Sequence, residues 1–460
     1  MILARRLATR FLPQGAVLLS VLLFGSYLAG LLRDRIFART YGAGGELDAY
    51  NAAFVLPELM LDVLVASGLA APFVPIFLRL RADGDGSGAD VFGQTILTGA
   101  VTVMAIGAAI LFIFAPQTTS LIAPGFDAEQ RELYIALFRM MLVTPIIFAA
   151  SLTLGEVLVA ERRFLAYGSA PLLYNAGIVL GTVLLADMVG IFGAAVGAVI
   201  GALLHLGVRL WGLRRSRFQV RPRIALRTRG VAEFIRLMLP KMVSHPIEPL
   251  TFLYFTAVAT TLGAGSVTAV SFARNFQSVP VSLIGVAISL AAFPTLAAAH
   301  AAGDRRGFVG SLTANLISIS VLTSGAAIAL YLLSELAIRL LLGGGAFDAN
   351  DVALTSLVLT AFAVSVPFES LTHLLSRAIY ATRHTVLQVA ASIVGFGVTV
   401  GVTAVLAPRI GITAIPIGFA VGTALKVVLL GAALAWRLRN FGRRQGAVGS
   451  TTTNVPSRSG

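Results

Sequence analysis

The 460-residue chain is 57% hydrophobic and 12% charged, with a mean hydropathy of +0.88, a net charge of +14 and no cysteine. Soluble domains carry about a quarter charged residues, so a soluble enzyme or binding domain is excluded, and disulfides and thiolate metal sites are excluded with it. In so apolar a chain the excess of arginine belongs to loops at a membrane surface and not to a nucleic-acid interface, and the five histidines at 205, 245, 300, 373 and 384 lack metal-ligand spacing.

The N-terminus opens with Arg5, Arg6 and Arg10 before an apolar run. This imitates a secretory signal, but the run continues into Arg33-Asp34-Arg35 with no cleavage pattern and is read as a retained first span. Apolar stretches long enough for a bilayer core of about 30 Å then recur. They predict about twelve spans, near 14–41, 46–78, 92–115, 131–159, 165–187, 189–213, 234–262, 266–299, 308–335, 352–382, 385–407 and 411–438. The polar, Gly/Ser/Thr-rich tail 439–460 is expected to be disordered. Basic connections at the N-terminus, Arg79/Arg81, Arg162/Arg163, 214–229, Arg305/Arg306, Arg383 and Arg437/Arg439/Arg443/Arg444 fall on one side if both termini are cytoplasmic. The opposite loops carry little positive charge, Arg409 being a mild exception.

The chain also repeats itself. Gly42-Ala43-Gly44 recurs as Gly263-Ala264-Gly265, Phe126-Asp127-Ala128 as Phe347-Asp348-Ala349, and 158–162 as 379–383, each 221 positions on; Pro72/Pro294 and Pro145/Pro367 are 222 apart. An even number of spans per copy gives two parallel halves, a common transporter plan. The expected fold is therefore an all-α polytopic membrane protein of about twelve transmembrane helices. Its two parallel six-helix lobes, 1–213 and 231–438, surround a central cavity and are joined by a basic cytoplasmic linker at 214–230.

Ionisable groups inside spans cost about 2.5–3.5 kcal/mol at a helix centre and mark candidate sites. Ser26, Gly30, Arg33, Phe37 and Thr40 share one stripe of the first span, and Arg35 and Arg39 share another. Arg33 is expected to face a cavity. Asp48 either pairs with a first-span arginine or is a helix N-terminal acid. In 241–250, Pro246 and Pro249 break the seventh span beside His245 and Glu248, which makes these two candidates for cation coupling. Glu369, His373 and Arg377 lie four apart on one face, as an ion-pair ladder or a coupling site. No HExxH, GxSxG or nucleotide-binding pattern is present, so neither covalent catalysis nor a bound cofactor is expected.

Residues 30–77 carry Arg33-Asp34, Arg39, Gly42-Ala43-Gly44, Asp48-Ala49, Leu56-Pro57 and Phe73-Val74-Pro75-Ile76. This block resembles the start of the MviN/MurJ family of lipid II flippases, in the multidrug/oligosaccharidyl-lipid/polysaccharide exporter superfamily. The motifs at 123–126, 263–267 with Pro280, and 344–348 are similar to the same family. The resemblance implies alternating access that moves an undecaprenyl-pyrophosphate-linked saccharide to the outer leaflet of the bacterial cytoplasmic membrane. Its implied substrate contacts are Arg33, Asp48, Arg274, Asn275 and Arg39. Three arginines frequent in the family are replaced here by Tyr27, Leu61 and Asn275. The expected partners are the lipid-linked saccharide, membrane lipids and proteins of wall synthesis, with the chain acting as a monomer. A sodium or proton gradient and the membrane potential are the expected energy sources. The alternatives are a flippase for another lipid-linked oligosaccharide, a cation-coupled drug exporter, whose cavity would be dominated by acids, and a non-transporting scaffold for wall synthesis.

Overall fold

A computed structural model describes residues 14–244, 246–382 and 384–439; the predicted tail lies outside them but for Arg439, which ends a helix. Among the described residues there is no strand. The helices are α1 (Gln14–Tyr41), α2 (Gly45–Ala82), α3 (Gly86–Ile113), a short α4 (Ala115–Ile122), α5 (Ala128–Ala160), α6 (Phe164–Val189) and α7 (Phe192–Leu213). After the basic segment come α8 (Val231–Ser244), α9 (Ile247–Thr260), α10 (Ser266–Ala301), α11 (Arg305–Leu341), α12 (Ala349–Ala363), α13 (Val366–Ala381), α14 (Val386–Ile410) and α15 (Ala414–Arg439). Among the described residues nine stretches are long and apolar enough to cross a membrane, and α12/α13, bent by 44°, forms a tenth if taken as one span. Two features complete the correspondence with the twelve predicted spans. The stretch Val386–Arg439 counts once but holds α14 and α15, and α8 with α9 occupies the predicted seventh span in two pieces.

Helix starts follow local chemistry. Asp127 accepts the Gln130 amide at 2.9 Å while the Gln130 side chain reaches back, a capping box that opens α5. Asp85 and Asp304 accept the amides of Gly88 and Gly307 at the starts of α3 and α11. Asp348, 221 positions after Asp127, accepts the amides of Asn350 and Asp351 at the start of α12. The duplication goes deeper than the motifs. A π-helical turn interrupts α2 at Asp62–Ala66 and α10 at Val281–Val286. The break in α5 at Leu142 also matches the break between α12 and α13.

The chain divides into two compact units, residues 1–270 with 338–354, and 271–337 with 355–460. In the first, Phe73 of α2 packs on Phe92 of α3 at 5.3 Å, and Phe92 on Phe234 of α8 at 6.0 Å. Helices α6 and α7 meet through glycines: a Cβ on Gly181 would lie 2.3 Å from the Gly197 Cα. This is the small-residue packing of membrane helices. The basic segment is fastened to α3: Gln94 Nε2 donates to the Gln219 carbonyl (2.7 Å) and the Arg223 amide to Thr98 Oγ1 (2.9 Å). Arg79 holds α8 through Glu233 and keeps that carboxyl below its ordinary range. The second unit centres on Leu296, Phe308, Ile319, Leu374, Ile379 and Leu430, all buried.

Candidate functional site

In the first unit, Arg33 lies eight residues before the end of α1, roughly 12 Å along the helix. Its Nε and Nη2 donate to Asp34 Oδ1 at 3.1 and 2.8 Å. The Arg33 side chain keeps 27% of its surface accessible while the Asp34 side chain keeps 5%. The carboxylate is therefore spent on the arginine, and Nη1 has no protein partner among the described residues. Glu58 of α2 and Tyr174 of α6 lie within electrostatic reach of Arg33. Glu58 is solvent-accessible in the middle of a span although protein surrounds it, so it faces a cavity. That cavity measures about 290 Å³ and is lined by Phe54, Glu58, Leu61, Phe148, Tyr174 and His205. It sits at the lower bound of ligand pockets, with room for a phosphate-sized group rather than a saccharide.

The other first-span arginines do something different. Arg35 Nη1 donates to the carbonyls of Leu340 and Leu341 at 2.8 and 2.9 Å, and Arg39 donates to that of Gly343 at 2.9 Å. These are carbonyls at the C-terminal end of α11, which have no intrahelical donors and attract cations. The Ala346 amide returns a bond to the Arg39 carbonyl (2.9 Å), and Asp351 accepts the Ala43 amide (3.0 Å). The backbones approach so closely that a Cβ on Gly345, whose φ is +64°, would lie 2.3 Å from the Arg39 carbonyl oxygen. Arg39, predicted to touch substrate, is placed on a helix end.

Asp48 is also placed on a helix end. Its carboxylate, 1% exposed, accepts the amides of Gly265 and Thr268 and the Thr268 hydroxyl, each at 2.7 Å. Gly265 precedes α10 and has no side chain with which to cap it; Asp48 supplies the cap from α2. Of the two sequence readings, this geometry favours the helix-terminal acid: Asp48 stands in the first turn of its own α2 and its carboxylate caps α10 as well.

Sequence reasoning passed over a buried polar group on α5 and α7. His205 Nδ1 and Ser151 Oγ are 2.7 Å apart, and the Arg209 guanidinium donates to the Ser151 carbonyl. Arg209, 3% exposed, lies over the Tyr167 ring at 5.2 Å and within electrostatic reach of Glu156. Gly155 makes the space: a Cβ there would lie 2.2 Å from Arg209 Nη1. An arginine four residues after His205, inside a Gly/Ala-rich span, was the available signal.

In the second unit Arg274 meets Glu369 through two bonds, at 2.7 and 3.0 Å, and Gln277 donates to the same carboxylate at 2.8 Å. Arg274 also lies over the Phe419 ring. Glu369 is 6% exposed, and its ion-pair partner is on α10 rather than on its own helix. His373 is half-buried and within electrostatic reach of Glu369. Asn275 offers its carbonyl to the Ser278 hydroxyl at 2.8 Å. Glu248 is exposed in the first turn of α9, and His245 lies outside the described residues. No group of three or more metal-ligating side chains occurs among the described residues.

A family model described as "Lipid II flippase MurJ" matches residues 37–449. The probable lipid II flippase MurJ of Thermotoga maritima is 28% identical over 404 residues, covering 86% of this chain and 80% of that protein. The lipid II flippase MurJ of Burkholderia cenocepacia is 26% identical over 417 residues, covering 88% and 80%. Among solved structures, a lipid II flippase MurJ in an inward closed conformation is similar with a TM-score of 0.78 at 20% identity, over 96% of this chain and 94% of that one. An inward-facing multidrug resistance MATE family transporter also scores 0.78, at 16% identity over 91% and 96%. At these identities the two structures report a shared fold.

Proposed function

The chain belongs to the MurJ family of lipid II flippases, a family of multi-pass proteins of the bacterial inner membrane, and we propose that it carries lipid II from the inner to the outer leaflet. It is a transporter and not an enzyme. The observation that carries the reading is the partly accessible Arg33 side chain, well inside an apolar helix and paired only in part by Asp34. A pyrophosphate needs cationic, multidentate donors, and the planar fork of arginine supplies them. Asp34 holds the fork in orientation and screens its charge until the pyrophosphate provides a stronger counterion. The neighbouring cavity, lined by Glu58, Tyr174 and His205, has room for one phosphate-sized polar group of the substrate and no more. The drug-exporter alternative is not favoured, since the match is to the MurJ family.

Both termini lie in the cytoplasm, which puts the α11 end bound by Arg35 and Arg39 on the outer side. Of the coupling candidates, Glu369 is already neutralised by Arg274, which leaves Glu248, exposed beside Pro249, as the better cation ligand. The protein works as a monomer. Expression in a bacterium depleted of its own lipid II flippase tests the function: growth and cell shape are restored if the proposal holds. Failure to restore either, with the protein present in the membrane, contradicts it.

A further inference from the structure

A second cavity, about 1300 Å³, opens between α1, α6 and α7 at the end of the spans that carries the basic segments. Arg162, Arg214 and Arg215 line it and are exposed, and among the described residues none of the three has a carboxylate partner. The nearby acid is used elsewhere: Glu161 accepts from Arg163 Nε at 2.9 Å and from the Ser216 hydroxyl. Arg163 in turn donates to the carbonyls of Gly212 and Arg215 at 2.8 and 2.6 Å, so the floor is held in place.

Arg162 has φ +59°, the sole positive value outside glycine among the described residues. It occupies the left-handed position that ends α5, where its amide bonds to Val159 O and the Arg163 amide to Leu158 O. Glycine is the usual residue there, and an arginine costs stability, so the charge itself is wanted. Phe164, Leu165 and Ala166, the first turn of α6, also line the cavity, and the Arg163 side chain does not cap that helix; uncapped first-turn amides attract phosphate. The remaining wall is apolar, with Leu18 of α1 and Leu165 of α6 leading to the exposed Val21. Trp211 stands exposed at the rim, as interfacial tryptophans do.

We propose that this groove binds an anionic membrane phospholipid, its phosphate held by Arg162, Arg214 and Arg215 and its acyl chains laid along α1 and α6. A soluble anion would use the arginines but not the apolar wall. The inference does not rest on lipid II transport, and binding is read without it.

The test is native mass spectrometry of the purified full-length chain titrated with phosphatidylglycerol. Wild type should retain one lipid per chain. Each arginine near a lipid phosphate contributes about fivefold in affinity, so Arg214→Gln and Arg215→Gln should each weaken binding by about that factor. Arg162→Gly should weaken it equally while melting no lower than wild type, because glycine removes the left-handed strain; a purely structural arginine would not separate the two readouts. Arg221→Gln, the same charge change outside the groove, should bind as wild type. Equal weakening by Arg221→Gln, equal retention of phosphatidylcholine, or displacement by inorganic phosphate would each overturn the proposal.

Discussion

Asp48 offers a prediction whose size follows from the contacts. Its carboxylate accepts three hydrogen bonds at 2.7 Å, two from backbone amides at the N-terminus of α10 and one from Thr268. A hydrogen bond to a charged group contributes about 1.5–3 kcal/mol. Leaving a buried neutral donor unsatisfied costs about 1–3 kcal/mol. Asp48→Ala leaves three donors without an acceptor and, with water recovering part of the loss, should cost about 3–5 kcal/mol. Asp48→Asn keeps one acceptor oxygen but turns an NH2 toward donors, and should lose about half as much. Thr268→Val removes one bond of three and leaves both backbone amides in place, so it should cost about 1.5 kcal/mol, the low end of the range for a bond to a charged group. Thermal unfolding of the purified protein should rank them wild type, Thr268→Val, Asp48→Asn, Asp48→Ala. If Asp48→Ala melts with wild type, the carboxylate is not a helix cap and its sealed position has another cause.

Three further outcomes follow. Arg274→Gln leaves Glu369 buried without its ion pair and should destabilise by about 3–5 kcal/mol, whereas the double variant with Glu369→Gln should recover most of that; equal unfolding of the two would remove the pair from the account. Gly181→Leu drives a side chain into the Gly197 backbone and should prevent accumulation in the membrane, as read by immunoblot of the membrane fraction. Glu248→Gln should weaken the dependence of transport on a sodium or proton gradient, and an unchanged gradient response would release Glu248 from coupling.

The helix caps are local, since Asp85, Asp127 and Asp348 each stand a few residues before the amides they accept, but span limits taken from the apolar runs begin several residues inside the helices. The repeat was legible because the same caps and prolines recur at a fixed distance. The roles of Arg35, Arg39 and Asp48 were not, since their partners lie more than 200 residues away and, the Thr268 hydroxyl apart, are backbone groups with no residue signature. Charge inside a span signalled importance at these positions but could not distinguish a ligand contact from a capped helix. The π turns at Asp62–Ala66 and Val281–Val286 left no mark in the apolar pattern either, because an extra residue in a turn shifts a face without changing composition. Arg33 was read correctly as lying on a different face from Arg35 and Arg39, since helical periodicity alone decides that.

The measurement that tests the central claim most directly is the amount of lipid II reaching the outer leaflet in flippase-depleted cells, at matched protein levels, for wild type, Arg33→Ala, Arg33→Lys and Arg39→Ala. Wild type should deliver it and Arg33→Ala should not. Arg33→Lys should recover a part, because an ammonium is a point charge without the fork, and Arg39→Ala should lose less than Arg33→Ala, because it loosens a helix end. Normal delivery by Arg33→Ala would contradict the account and leave Arg33 as a residue that pairs with Asp34 and nothing more.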